Sequence, residues 1–208
     1  MVGDISGYKH KTAELRRAHR FLLPSVCDVI ENLSLSDSQR RVFDLGCGNG
    51  AVAHFLSQKG YDVVGVDPSS EGLEQAKRAY PNLKLFSGSA YDDLQGRFGQ
   101  FPIVLSLEVV EHIYFPRKYA ACIYSLLEDG GVAVISTPYH GYWKNLLLAL
   151  TGTLDAHFSA LWDYGHIKFW SVRTLTHLLA EAGFSSIHFR SVGRIPPFAR
   201  SMIAIARK

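Results

Sequence analysis

The stretch Val42-Phe43-Asp44-Leu45-Gly46-Cys47-Gly48-Asn49-Gly50 joins an apolar run to three glycines that alternate with other residues. The apolar run is typical of a short buried strand, and glycines directly after it let the backbone approach a ligand closely. The helix predicted to follow, from about Ala51 to Gln58, presents its positive N-terminus at the same place. The sequence therefore predicts a strand, a tight turn and a helix around a ligand site.

Short apolar runs alternate with amphipathic stretches along the rest of the chain, which is typical of an α/β fold with a parallel sheet. The link Gly193–Pro197 between the last two predicted strands is too short for a helical crossover. The last strand should therefore be antiparallel to its neighbour. The predicted strands cover residues 41–45, 61–66, 83–86, 101–107, 132–136, 187–192 and 201–206.

Three predicted helices have clear signals at their ends or inside them. The first covers Thr12–Glu31 and contains Pro24, which predicts an interruption because proline removes a backbone donor. Another covers 116–127, with Gly130-Gly131 as its stop signal. A third, over 172–182, begins after a serine and ends at a glycine.

Length and composition favour one globular domain over residues 1–208. The chain is 47% apolar, which is enough to bury a substantial core. No apolar run reaches the roughly 18 residues that a membrane span needs, and the polar N-terminus lacks a signal-peptide core. Three widely separated cysteines favour neither disulfides nor a zinc cluster, so a cytoplasmic location is expected. Within the domain, 1–35 is predicted to be a helical segment and 138–170 an aromatic-rich insertion or lid.

The formal net charge of +3 lies in residues 1–20, which hold five Lys or Arg against two acidic residues. Such a basic helix can contact phosphates or an anionic membrane surface, although a charged run is usually a solvated helix face. The remaining chain is neutral overall, which disfavours a nucleic-acid partner. The sequence leaves the oligomeric state open.

The glycine spacing and two aspartates indicate which class of ligand the site binds. A dinucleotide fingerprint has the spacing G-x-G-x-x-G, whereas Gly46, Gly48 and Gly50 are closer together. S-adenosylmethionine has no pyrophosphate, but it has an ammonium group that Asp44 could approach. Asp67 ends the second predicted strand, where a carboxylate can accept hydrogen bonds from both ribose hydroxyls.

Five motifs follow the predicted strands: Asp44-Leu-Gly-Cys-Gly-Asn-Gly50, Val64-Gly-Val-Asp67-Pro-Ser69, Ser87-Gly-Ser-Ala90, Leu105-Ser-Leu-Glu108-Val-Val-Glu-His112 and Leu127-Glu-Asp-Gly-Gly131. Together they resemble those of the class I S-adenosylmethionine-dependent methyltransferases, and within that superfamily the chain looks most like the quinone-biosynthesis O-methyltransferase group. The resemblance covers nearly the whole chain. It implies a Rossmann-like seven-stranded, mostly parallel sheet with helices on both faces, and S-adenosylmethionine lying across the ends of strands 1, 2 and 4.

The resemblance also implies which residues contact the cofactor. The third motif usually places an Asp at the adenine amino group, but Ser89 stands there in this chain. The backbone of Ala90, with Tyr91 or Asp92, is then expected to contact the adenine. Other implied contacts come from the ends of the first, second and fourth strands: Asp44, Gly46, Cys47, Gly48, Asn49, Asp67, Pro68, Ser69, Leu107 and Glu108.

Glu108, Glu111 and His112 follow the fourth strand, and would share one face if a helix began there. With His166 they resemble the ligand set of metal-dependent small-RNA 2′-O-methyltransferases. All four side chains are therefore candidate ligands of one divalent metal, which could lower the pKa of an acceptor hydroxyl. Two alternatives stay open: a metal-free site in which His112 or His166 is the general base beside Glu108, and a purely structural role.

Residues 138–170 follow the fifth strand, on the side of the sheet where ligands bind in such folds. Trp143–Leu150 is predicted to be an amphipathic lid, to meet a prenyl tail or a membrane surface, or to pack on the sheet edge. The insertion contains all three tryptophans. The candidate contacts to the methyl acceptor are Tyr139, His140, Trp143, Trp162 and Tyr164.

These features predict S-adenosylmethionine-dependent methylation of a small molecule, on the oxygen of a hydroxylated ring or quinone-like compound. One alternative is a metal-assisted RNA 2′-O-methyltransferase, suggested by the Glu and His pattern and the basic N-terminus. Another is a binding protein with no catalytic activity, which the intact Asp44, glycines and Asp67 disfavour. The acceptor itself cannot be named from sequence, because fold does not dictate substrate.

Overall fold

The computed structural model describes residues 12–33, 36–158, 160–163 and 165–208. Its strands are β1 Arg41–Leu45, β2 Asp62–Asp67, β3 Lys84–Ser87, β4 Phe101–Leu107, β5 Leu127–Pro138, β6 Ser186–Val192 and β7 Ser201–Arg207. They form one sheet in the order β3-β2-β1-β4-β5-β7-β6. Strands β1 to β5 pair in parallel, whereas β7 is antiparallel to both β5 and β6. The Rossmann-like, seven-stranded prediction with an antiparallel last strand is confirmed.

Helices connect the strands and cover the sheet. The α-helices are α1 Arg17–Glu31, α2 Ala51–Gln58, α3 Ser70–Ala79, α4 Leu94–Phe98, α5 Pro116–Leu126, α6 Tyr142–Leu150, α7 Leu154–Phe158 and α8 Val172–Glu181. Short 3-10 helices cover Asp37–Gln39 and Val110–His112. In the described part of the chain, no helix is both long and apolar enough to cross a membrane.

Two apolar clusters pack on the two faces of the sheet. Helices α1, α2 and α3 contribute to one cluster, and α4, α5 and α8 contribute to the other. Strands β1 and β4 are buried along almost their whole length because both of their faces are covered. The carboxyl ends of β1, β2 and β4 therefore form a rigid edge from which loops project.

The first helix differs from its prediction at its start and at Pro24. It begins at Arg17 rather than Thr12, and it continues through Pro24 without interruption. Helix α1 buries five apolar side chains, including Leu23 and Val26 on either side of the proline, and this packing outweighs the missing backbone hydrogen bond. Residues 12–16 lie outside the helix.

The boundary between α5 and β5 also differs. Helix α5 ends at Leu126, and β5 begins at Leu127 instead of Val132. Leu127 pairs with Phe101 and Val132 pairs with Ile103, so that residues 128–131 form a bulge between two paired positions. The glycine pair Gly130-Gly131 lies in this bulge rather than at the helix end. Gly130 takes a positive φ of 77° there.

Candidate functional site

The turn after β1 requires glycine at its first position. Gly46 has φ of 87°, and its backbone N–H donates to the carbonyl of Val66 on the neighbouring strand β2. A Cβ atom at Gly46 would lie 2.4 Å from Cγ2 of Val109. No side chain fits at Gly46 in this conformation, so glycine is what allows the turn to pack against Val109 in the loop after β4.

Asp67 is held in place at the end of β2 by two backbone donors. Gly48 N–H donates to Oδ2 and Ser69 N–H donates to Oδ1, each at 2.8 Å. Ser69 in turn caps α3 by accepting from Gly72 N–H, and Pro68 lies between the two. A carboxylate oxygen can accept more than one hydrogen bond. Asp67 is thus oriented to accept hydrogen bonds from a pair of hydroxyls such as those of ribose.

Asp44 is a buried acid without a hydrogen bond on one of its oxygens. Its side chain lies at the end of β1, where the residue is only 2% exposed, and Oδ2 has no partner. Burial, followed by the nearby charge of Asp67, raises the pKa of Asp44 to about 7. A ligand that brings positive charge would satisfy this carboxylate. The ammonium and sulfonium groups of S-adenosylmethionine fit that requirement.

The remaining turn residues act mainly through their backbone. Cys47 is buried, donates its N–H to Val66, and has a thiol pKa raised by burial. Asn49 is buried too, and its side chain points away from β1 toward residues 12–14. The resemblance predicts both as cofactor contacts, and this role stays a prediction; within the protein, Cys47 N–H donates to Val66 and the Asn49 side chain donates to Thr12.

The predicted adenine contacts follow β3. Ala90 is buried, and Ser89 donates its N–H to Oδ2 of Asp92, which fixes the bend of this segment. The hydroxyl of Tyr91 accepts the N–H groups of Tyr114 and Phe115. Tyr91 therefore joins this segment to the loop after β4.

Glu108 does not share a helical face with Glu111 and His112. It follows Leu107 at the end of β4 with a left-handed φ of 57°, before the 3-10 helix Val110–His112 begins. Its backbone N–H and Oε1 both hydrogen-bond the Ser136 hydroxyl on β5, at 3.0 and 2.9 Å. Burial raises the pKa of Glu108 to about 7, against the opposing effect of its serine hydrogen bonds. The positive φ turns Glu108 away from the arrangement that an ordinary helix would give.

Three of the four predicted metal ligands do come together. Glu111, His112 and His166 each offer a ligand atom, and these atoms lie within 4.8 Å of one another. Oε1 of Glu111 is 4.0 Å from Nε2 of His166. Glu111 is 1% exposed, neither carboxylate oxygen has a hydrogen-bond partner, and burial followed by the charge of Glu108 raises its pKa well above the usual range. The cluster is thus a carboxylate and two imidazoles whose ligand atoms lie close together, with no hydrogen bond to either oxygen of the Glu111 carboxylate.

Backbone hydrogen bonds fix the two segments that supply this cluster. Ile167 and Lys168 both donate to the carbonyl of Glu111, at 2.9 and 3.0 Å. Trp170 Nε1 donates to the carbonyl of Val110, and His112 Nδ1 lies 3.1 Å from the carbonyl of Gly165. Several hydrogen bonds to the 3-10 helix therefore fix the segment that carries His166.

The predicted acceptor contacts lie in different surroundings. Trp162 lies beside the cluster, with its ring centroid 5.2 Å from that of His166 and 6.1 Å from that of His112. His140 is buried between aromatic rings, with Tyr139 before it, whereas Trp143 is 60% exposed on α6. Tyr164 lies outside the described residues.

Two polar residues at the site had no clear signal in the sequence. Ser136 lies directly opposite Leu107 in the sheet, which brings its hydroxyl to Glu108. Lys144, in the first turn of α6, donates to the carbonyl of Tyr139 and is close enough to Glu108 for their charges to interact. Ser136 can be recognised only from the register of β4 and β5, and Lys144 only from the position of α6.

Comparison with known proteins agrees with this geometry. The family model described as methyltransferase domain matches residues 16–188. The ubiquinone biosynthesis O-methyltransferase of Cereibacter sphaeroides is 33% identical over 154 residues, 71% of this chain and 61% of that protein. The protein of the same name from Psychrobacter arcticus is 29% identical over 155 residues, which is 70% of this chain and 59% of its own. The chain thus spans about three fifths of the length of these curated relatives.

Solved structures show the same fold at lower identity. A S-adenosylmethionine-dependent methyltransferase from Anabaena variabilis superposes with a TM-score of 0.68 at 17% identity, covering 91% of this chain and 85% of that one. One from Methanosarcina mazei gives 0.64 at 19% identity, covering 86% and 96%. With the family match extending from α1 into β6, the chain belongs to the class I S-adenosylmethionine-dependent methyltransferases.

Proposed function

We propose that this chain transfers the methyl group of S-adenosylmethionine to a hydroxyl oxygen on a small, ring-bearing acceptor of the quinone type. The observation that carries the proposal is the cluster of Glu111, His112 and His166 at the end of β4, next to the turns of Asp44 and Asp67. The names of the relatives, which refer to O-methylation in ubiquinone biosynthesis, support the same acceptor chemistry.

The cofactor would be held by the edge formed by β1, β2 and β4. Asp67 would accept hydrogen bonds from the ribose, Asp44 would face the positive charge, and the turn at Gly46 would allow backbone contact. When bound, S-adenosylmethionine supplies an electrophilic methyl group on a sulfonium. The protein must then place one acceptor oxygen in line with that methyl group and remove the proton of the oxygen.

His166 is the candidate acceptor of this proton because its imidazole is neutral at ordinary pH, although its lowered pKa makes it a weaker base than an ordinary histidine. Burial, and then the nearby His112 and His157, lower the pKa of His166 to about 4. A neutral imidazole can accept the hydroxyl proton as the carbon–oxygen bond forms and the carbon–sulfur bond breaks. Trp162, beside both imidazoles, would pack against the acceptor ring and hold the oxygen near them.

The same three side chains suit a divalent cation. Two imidazoles and a carboxylate favour Mn²⁺, Fe²⁺, Co²⁺ or Zn²⁺ over an all-oxygen Mg²⁺ site. The buried Glu111 carboxylate, with no hydrogen bond to either oxygen, fits this role because a cation would compensate for its burial. A bound ion would lower the pKa of the acceptor hydroxyl. Glu108, which is hydrogen-bonded to Ser136, lies outside this ligand set and would orient the acceptor instead.

The insertion suggests an apolar acceptor. Helix α6 buries none of its residues, yet it carries Tyr142, Trp143, Leu147 and Leu150 with exposed side chains. An apolar helix that projects beside the site fits a lid over a hydrophobic acceptor, and its surface would suit a prenyl-like tail or a membrane surface that holds such an acceptor. Lys144 lies on the same helix with its ammonium directed to Tyr139 and near Glu108.

The test is turnover with defined acceptors. The full chain would be incubated with S-adenosylmethionine and catechol-type acceptors with and without a prenyl chain, and products would be identified by a mass increase of one methylene on oxygen. His166→Ala should reduce turnover at least about a hundredfold, as expected for loss of a proton acceptor. Glu111→Gln should reduce it by a similar factor if the carboxylate holds a cation at the cluster. His188→Ala, on exposed β6, is the matched control and should retain it.

Failure of the wild-type chain to bind S-adenosylhomocysteine would overturn the proposal. Methylation of RNA ribose with a steep salt dependence, and no methylation of small acceptors, would replace it with the nucleic-acid alternative.

A further inference from the structure

Three consecutive backbone carbonyls just before α1 are each bound by a side chain from the cofactor half of the sheet. Asn49 Nδ2 donates to the carbonyls of Thr12 and Glu14, at 2.7 and 3.2 Å. The hydroxyl of Tyr80 donates to the carbonyl of Ala13 at 2.6 Å. Residues 12–16, called here the N-terminal strap, are therefore attached to the glycine turn and to the end of α3.

Both donors are fixed parts of the cofactor turn. Asn49 lies within the turn itself, is 2% exposed, and accepts the N–H of Ala51 with its side-chain oxygen at the start of α2. The ring of Tyr80 stacks on His54 of α2, with centroids 4.2 Å apart and planes 13° from parallel. A Cβ atom at Gly50 would lie 3.6 Å from that ring. The strap is thus fastened to the same few residues that shape the backbone around the proposed cofactor.

The contacts are specific but not strong. Hydrogen bonds between neutral groups in exposed or partly buried places each shift an equilibrium only about two- to tenfold, because water competes for the same carbonyls. The strap buries none of its own residues completely, unlike α1, which it precedes. Its attachment can therefore open without unfolding the domain.

We propose that the N-terminal strap forms one rim of the methyl-donor site, and that Asn49 and Tyr80 are positioning residues that keep this rim closed. The inference rests on the proposed function. If closure of the strap favours the bound cofactor, then by linkage the cofactor must favour closure of the strap by the same factor. Release of the strap should weaken cofactor binding mainly by raising its dissociation rate.

The test measures affinity and dissociation of S-adenosylhomocysteine with the full chain, by calorimetry and stopped-flow displacement. Tyr80→Phe removes one hydrogen bond and keeps the stacked ring, and should weaken binding about fivefold, as expected for one neutral hydrogen bond. Asn49→Ala removes two hydrogen bonds to the strap, together with the one from Ala51 N–H, and should weaken binding about tenfold or more. The KM for S-adenosylmethionine should rise in both, and kcat should fall much less.

The double variant tests whether Asn49 and Tyr80 both act through the strap or have independent effects on cofactor binding. If both residues act by holding the strap, then Asn49→Ala with Tyr80→Phe should be little worse than Asn49→Ala alone, because the strap is already released. Additive losses would overturn the proposal. Tyr124→Phe on α5 and Asn32→Ala at the exposed end of α1 are the matched controls and should bind as the wild type does.

Limited proteolysis provides a readout independent of catalysis. Trypsin should cleave the wild-type chain at Arg16 and Arg17 more slowly when S-adenosylhomocysteine is bound, and Tyr80→Phe should increase cleavage of the free protein there. If wild type binds the ligand but shows no protection, the strap proposal is wrong while the cofactor site stands. If wild type does not bind the ligand at all, the proposed function itself fails.

Discussion

Nε2 of His166 lies 4.0 Å from Oε1 of Glu111, although one residue belongs to the insertion and the other to the loop after β4. The pair is held by backbone contacts between the two segments rather than by a direct hydrogen bond. That geometry leaves both groups with capacity for a third partner, which a divalent cation or the acceptor hydroxyl could be.

If that partner is a metal, Co²⁺ should bind to the full chain with a visible spectrum typical of mixed nitrogen and oxygen ligands. His166→Ala should weaken this binding at least about tenfold, since even residues behind the ligands change affinity by that amount. Glu108→Gln should have a smaller effect, because Glu108 is hydrogen-bonded to Ser136. Full turnover after chelation, with no Co²⁺ spectrum, would instead favour His166 as a metal-free base.

Asp44→Asn should stabilise the free protein at alkaline pH and remove cofactor binding. The folded-state pKa of Asp44 is about 7, above its ordinary value of 3.8, so that burial of the charged form costs free energy. This cost is full above pH 7, decreases as the pH falls through the folded pKa, and is absent below the ordinary value. We expect the variant to gain on the order of 1–3 kcal/mol in unfolding free energy at pH 8 and much less at pH 4.5.

Denaturant unfolding at the two pH values, together with calorimetry of S-adenosylmethionine, checks this. Asp129→Asn, on the exposed bulge of β5, is the control and should change neither quantity. An Asp44→Asn protein that binds the cofactor as tightly as wild type would contradict the role given to this carboxylate.

Gly46→Ala should destabilise the protein by about 2–4 kcal/mol, because it combines a positive φ with a Cβ atom 2.4 Å from Val109. Gly152 offers a control, since it has φ of 65° and no atom within 4 Å of its added Cβ. Gly152→Ala should cost only about 1–2 kcal/mol, the strain of the backbone alone. Thermal and denaturant unfolding measure both. Equal losses in the two variants would show that contact with Val109 is unimportant.

Helix α6 should affect acceptors according to their apolar tails. Trp143→Ser and Leu147→Ser remove exposed apolar area, which contributes about 25 cal/mol per Å² when a ligand covers it. We expect the KM of a prenylated acceptor to rise several-fold and that of the same ring without a tail to stay nearly constant. The ratio of the two KM values is the measurement, and an unchanged ratio would argue against α6 as a lid.

The cofactor turn could be predicted from sequence because its determinants are local. Asp44 lies two residues before the first glycine, and Asp67 ends the next strand, so that parallel pairing of β1 and β2 alone brings the two acids to one edge. Glu108 could not be predicted in the same way, since its positive φ depends on Ser136 from β5. The early start predicted for α1 failed for a similar reason: Asn49 and Tyr80 hold residues 12–14 outside the helix.

The hydrogen bond from His140 N–H to the carbonyl of Trp170, at 3.0 Å, closes the insertion at its base. The described residues between them lie outside the sheet. Because the entropy of loop closure depends only weakly on loop length, a closed excursion of this kind can be exchanged for another with little cost to the sheet. We therefore expect that the insertion can be replaced as a unit. Transplanting the corresponding segment of a relative should therefore alter which acceptor is methylated and leave the methyl-donor half of the molecule intact.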